Sequence, residues 1–146
     1  MAYRIVVGYD GSEHSRKALD AAIEIAKMAS EGDIFITCAQ HRSAPAVGFR
    51  GAEFGVEEMW DEQAEKIEKE LAEAAERVRG AGVPCATACT PDRPDVTMLT
   101  VAHEIDARMI VVGARGAGAR EGQRSILGST TTRLLHEAAD VPVLVV

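Results

Sequence analysis

Aromatic residues make up only 4% of this 146-residue chain, and net positive charge is missing, the balance being −7. A flavin ring wants aromatic side chains to sandwich it, and the predicted loops offer only Tyr9, Phe49 and Phe54. An acidic chain also lacks the general basic face that nucleic acid or an anionic membrane requires. No apolar run approaches the roughly 20 residues of a transmembrane helix, and the N-terminus shows no signal-peptide core. Cysteine is scarce and odd in number (Cys38, Cys85, Cys89), which points to a reducing cytosol rather than a disulfide framework. Cys85 and Cys89 fall in a predicted strand with no histidine close in sequence, so they read as ordinary buried thiols, not metal ligands. The expectation is a cytoplasmic protein.

A catalytic constellation is also missing. His14, His41, His103 and His136 are spread over three predicted helices and a loop, none spaced with both an acid and a nucleophile. Asp10 stands alone, whereas a response-regulator phosphoacceptor site needs an acidic cluster.

What is present is a regular alternation of elements. Apolar β-branched runs at Arg4–Tyr9, Asp33–Ala39, Val83–Cys89, Ala107–Gly113 and Val141–Val146 predict five strands. Between them, Leu19, Ala22, Ile23, Ala26 and Ala29 recur at helical spacing, with Ser12 as N-cap and Gly32 as stop. A helix over Glu57–Arg79 carries the stripe Trp60, Ala64, Ile67, Leu71, Ala74 and Val78. A third helix turns Val96, Leu99, Ala102 and Ile105 inward, and a fourth spans Gly128–Ala139. The segment Gln40–Gly55, rich in Gly and Pro, has the length of a lid or binding loop. Strands that are apolar throughout, alternating with helices, mean a parallel sheet covered on both faces. We expect one domain over residues 1–146: an α/β, doubly wound, open five-stranded parallel sheet of order 3-2-1-4-5. Ligands of such sheets bind beyond the carboxyl ends of the strands, where the winding reverses. Here that is between "GYDGS" (Gly8–Ser12) and "GARGAG" (Gly113–Gly118).

The second of these stretches opens the one basic window. From Gly113 to Arg133, Arg115, Arg120, Arg124 and Arg133 oppose only Glu121, giving +3 and leaving −10 for the rest. The loop is not a Walker A motif, because Ala119 and Arg120 stand where Lys and Ser/Thr belong. Nor is it the dinucleotide fingerprint, because Gly122 comes one residue late and the loop follows the wrong strand. What remains is Gly113-x-x-Gly116 and, further on, Gly128-Ser129-Thr130 at a helix start. Glycines allow positive φ and close approach of N–H groups to phosphate, and a helix N-terminus offers unpaired donors. The plainer reading is a turn followed by a Ser129 cap.

Along its whole length the chain resembles the universal stress protein family. The likeness rests on "RIVVGYDGS", "ARMIVVGARG", "LGSTTTRLL" and the closing "ADVPVLVV". The resemblance implies the fold above and an ATP-binding stress-response module, whose mark is G-x-x-G, nine residues, then G-[ST]. Gly113, Gly116, Gly128 and Ser129 match by type, but eleven residues, Ala117 to Leu127, separate the glycine pairs. The extra two are most simply absorbed in "AGAREGQ", with Ile126 and Leu127 anchoring the helix start. By resemblance, Gly8 and Tyr9 contact adenine through their backbone, Ala39 lines the base pocket and Asp10 accepts from the adenosine. Ala114 and Arg115 run along ribose and phosphates. Ser129 and Thr130 reach the outer phosphates, where a Mg²⁺ could complete the charge balance. Asp10 can equally make an Asx turn. Two alternatives stay open: a dimerising stress protein that has lost nucleotide binding, and a small ATP-dependent hydrolase with Asp10 on Mg²⁺. Finally, an apolar edge strand at Val141–Val146, with only Pro142 at its start to protect it, implies a homodimer through that strand. Val143→Lys with Val145→Lys is the substitution expected to break it.

Overall fold

The structure is a computed structural model that describes residues 2–39, 56–115 and 127–146, the side chains of 56–63 excepted. The Gln40–Gly55 loop, the Trp60 side chain, Gly116, Arg120, Arg124 and Ile126 lie outside the described residues. The elements run β1 (Tyr3–Gly8), α1 (Glu13–Met28), β2 (Gly32–Ala39), α2 (Val56–Gly80), β3 (Cys85–Thr90), α3 (Pro94–Glu104), β4 (Met109–Val112), α4 (Ser129–Glu137) and β5 (Val143–Val145). All pairings are parallel and the strand order is β3-β2-β1-β4-β5.

Because β1, β2 and β4 are buried on both faces, their residues are apolar without alternation, and successive side chains feed opposite cores. Ile5, Val7, Ile34, Ile36 and Val111 pack beneath α1 and α2 with Leu19, Leu71 and Val78. Val6, Ile110 and Val112 pack beneath α3 and α4 with Met98, Val101 and Leu134. An Arg77–Asp20 ion pair at 2.6 Å links α2 to α1, but both side chains are about half exposed, so it contributes only ~0–1 kcal/mol.

Several expected boundaries move, for local reasons. β3 starts at Cys85, not Val83, because Pro84 has no N–H for the ladder and contributes only its carbonyl, to Ile34 N at 3.0 Å. Pro142 acts likewise on β5, which shrinks to Val143–Val145. Gly32 is not the stop of α1: Ala29 is its C-cap, in extended backbone, and Gly32 opens β2. The inward face of α3 also differs. Asp95, Thr97, Met98, Val101 and Ala102 are buried, while Val96, Leu99 and Ile105 are only half-buried on its flank.

Candidate functional site

The winding reverses between β1 and β4: α1, which follows β1, and α4, which follows β4, pack on opposite faces of the sheet. A cavity of about 400 Å³ opens there, walled by the ends of β1, β2 and β4 and the first turns of α1, α3 and α4. On the first wall the chain leaves Gly8 and turns at once. Asp10 Oδ1 accepts from Ser12 N at 2.9 Å, and Gly11 takes φ +80°, so the Asx turn holds. Ser12 then caps α1, its Oγ accepting from Ser15 N at 3.2 Å, while Ser15 Oγ donates back to Ser12 O at 2.9 Å. This end of α1 is thus supplied with its own cap and with Glu13 in its first turn.

The second wall is built from both ends of the glycine-rich segment. Ala114 N donates to Val146 O at 2.9 Å, fixing the exit from β4. Gly128 N donates to Ala114 O at 2.7 Å, and Thr131 Oγ1 to Gly113 O at 2.9 Å. These two bonds hold Gly113 and Gly128 side by side. The expected Ser129 cap is corrected: Gly128 is the N-cap (φ −69°, ψ 161°), and Ser129 is the first helical residue. No side chain supplies the cap bond and no acid lies in the first turn, in contrast to α1. The ladder of α4 itself begins at Thr132 N, which donates to Gly128 O at 3.0 Å. The backbone amides of Ser129, Thr130 and Thr131 therefore have no partner within the helix.

Positive φ, expected of these glycines, occurs at neither Gly113 nor Gly128. The glycine at 113 serves close packing instead. A Cβ there would lie 2.7 Å from the His14 carbonyl carbon in the first turn of α1. At Gly8 a Cβ would meet Met98 Sδ at 2.5 Å, the far end of a flexible side chain, which would have to shift.

Thr37, Cys38 and Ala39 close the third wall, with Pro94 and Met98 of α3 opposite. Thr37 is buried because its Oγ1 donates to Val7 O at 3.1 Å, and its own carbonyl accepts from Tyr9 N at 2.9 Å. Burial pushes the Cys38 thiol up to about 12, with Cys89, Asp10 and Glu70 nearby adding to the effect. A protein-family model, that of the universal stress protein family, matches residues 1–146. The chain belongs to the universal stress protein family.

Among relatives, it is 30% identical over 150 residues to the universal stress protein YxiE of Bacillus subtilis strain 168, covering 100% of this chain and 99% of that one. Among solved structures, it resembles the universal stress protein UspA of Lactobacillus plantarum with a TM-score of 0.79 at 21% identity, covering 100% of this chain and 99% of that one. A universal stress protein solved in complex with cAMP matches with a TM-score of 0.68 at 26% identity, covering 100% of this chain and 98% of that one.

In this universal stress protein the cavity gathers Gly8, Tyr9, Asp10 and Ala39 with Gly113, Arg115, Gly128, Ser129 and Thr130. Ala114 does not face it, being occupied by backbone bonds to Val146 and Gly128. Arg133 projects from the exposed face of α4, away from the lining. Among the described residues no three His, Cys, Asp or Glu side chains group as a metal site, and no helix is long and apolar enough to cross a membrane. Sequence reasoning missed Ser15, Thr37, Cys38, Pro94, Met98, Val112, Leu127 and Thr131 as lining residues. For Thr37, Cys38 and Val112 the signal was available, since each precedes a strand end already assigned to the site. Met98 could be found only from the packing of α3.

Proposed function

We propose that this chain is an adenine-nucleotide-binding regulatory module that takes ATP in the cavity between β1 and β4. The observation that carries this is the start of α4. It faces the cavity, has neither side-chain cap nor first-turn acid, and lies beside Arg115. Amides and dipole at such an end favour an anion, by roughly 0.3–1 kcal/mol when exposed and up to ~2 when partly buried. The lining is graded: Met98, Val112 and Leu127 offer apolar surface, and Ser129, Thr130 and Arg115 offer donors. At about 400 Å³ the cavity is within the usual range for small-molecule sites. The relative that carries cAMP supports an adenine ligand.

On this reading Ser129, Thr130 and the α4 amides hold the outer phosphates, with Mg²⁺ offsetting their charge when bound. Gly8, Tyr9 and Ala39 border the base, and Asp10 the ribose. The Gly8 and Tyr9 backbone would favour an adenine edge over guanine. Calorimetry with ATP, ADP and GTP on the purified chain tests this. Micromolar binding of ATP or ADP and at least tenfold weaker GTP is expected; equal GTP binding would overturn the adenine assignment. The module also pairs with a second copy through β5, a reading supported by an apolar edge where Leu144 and Val146 are each 36% exposed.

A further inference from the structure

Two of the three cysteines face one another. Cys38 and Cys89 are direct register partners on the parallel pair β2–β3, so their side chains leave the same face of the sheet. Neighbouring strands run about 4.8 Å apart, inside the roughly 4.4–6.8 Å of Cα separation that a disulfide bridges. Cys89 is also near enough to help push the Cys38 thiol up. The two differ in access: Cys38 is buried in the cavity wall, whereas Cys89 is exposed. Cys85 stands opposite Ile34 instead. At about 3.3 Å per residue it lies ~13 Å along β3 from Cys89, beyond the reach of either thiol.

We propose that Cys38 and Cys89 form a reversible dithiol–disulfide site, oxidised by exchange with a low-molecular-weight disulfide of the glutathione type. Cys89 gives its proton to solvent and its sulfur attacks the small disulfide. That S–S bond breaks, and one thiolate leaves and takes up a proton. Cys38 then loses its proton and attacks the Cys89 sulfur, the mixed disulfide breaks, and the second thiol departs. The protein gives up two electrons and two protons, and the small disulfide gains both as two thiols.

The order of events follows from burial. With its thiol held up near 12, Cys38 does not begin the exchange, and it acts as the resolving group. Capping Cys89 removes the charge through which Cys89 raises that value. The Cβ atoms must close toward about 3.8 Å, and β3, an edge strand near its end at Thr90, is the element able to shift. A bond formed under such strain is readily reduced again, the behaviour of regulatory rather than structural disulfides. Oxidation would replace the Cys38 thiol by a bond to Cys89, and so carry redox state into the cavity wall that Cys38 lines. None of this depends on the nucleotide reading.

The test uses the full chain, reduced, desalted and incubated with glutathione disulfide, then acid-quenched, alkylated with N-ethylmaleimide and weighed intact. The wild type is expected to lose two hydrogens and take up a single maleimide, on Cys85; dithiothreitol should restore three alkylatable thiols. Cys85→Ser should form the same cross-link and take up no maleimide. Cys38→Ser should stop at a stable glutathione adduct on Cys89, and Cys89→Ser should form no cross-link. Persistent glutathione on wild-type Cys89, a link through Cys85, a bond between two chains, or three alkylated thiols after incubation would each overturn the proposal.

Discussion

Gly113→Ala places one methyl group where the end of β4 meets the first turn of α1. The new Cβ would be 2.7 Å from the His14 carbonyl carbon and 2.8 Å from its Cβ and oxygen, where ordinary contact begins at 3.4 Å, so about 0.7 Å must be found. The obstruction includes backbone, and α1 is pinned by the buried Ala18, Leu19, Ala22 and Ala26. No side-chain rotation relieves the clash. Overpacking of this kind costs ~1–3 kcal/mol. For a chain of this size that corresponds to a fall in Tm of about 2–12 °C. Gly80→Ala is the control: nothing lies within 4 Å of its new Cβ, and its φ is not positive. There the lost freedom of the unfolded chain should leave stability unchanged or raise it by ~0.4–1 kcal/mol. Thermal and urea unfolding of both variants decide the matter. A Gly113→Ala protein as stable as wild type, or a Gly80→Ala protein that falls equally far, would refute the packing account of Gly113.

Thr131→Val should cost ~1–2 kcal/mol in urea unfolding, because it removes the donor from the Gly113 carbonyl at a buried site. The folded-state value of Cys38 is raised, so its contribution to stability is complete below pH 9, the unfolded value, and drains away toward about 12. Wild-type stability should thus fall above pH 9 by up to ~1.4 kcal/mol per pH unit from this thiol, and Cys38→Ala should show a shallower decline. For the homodimer, Val143 and Val145 prove to be packed against the α3–α4 core, so lysines there would damage folding itself. Leu144→Lys, on the exposed side of β5, is the cleaner probe: it should give a folded monomer by sedimentation, and a wild type that already sediments as a monomer at micromolar concentration would reject edge pairing.

The sheet order and the location of the cavity were legible because fully buried parallel strands announce themselves as unbroken apolar runs, and a turn such as Asp10-Gly11-Ser12 follows its strand directly. The face of α3 was not. Thr97 is buried because its hydroxyl meets that of Thr90 at 2.5 Å and the Arg93 carbonyl at 3.2 Å, and Asp95 because Arg93 lies 3.3 Å away. Hydropathy counts both as outward-facing, since the partners that make burial affordable come from another element or an earlier turn. The packing demand at Gly113 was hidden for a related reason. A glycine written next to other glycines suggests a flexible phosphate loop, whereas the need for its missing side chain arises from α1, a hundred residues earlier in the chain.

The pair of bonds from Gly128 N to Ala114 O and from Thr131 Oγ1 to Gly113 O has a consequence for how such a chain can change. They form a stem that joins the end of β4 to the start of α4. With the stem intact, the spacing of the two glycines in the sequence is uncoupled from their spacing in space. The stem, not the number of residues that join the two glycines, therefore decides how far apart these two walls of the cavity stand.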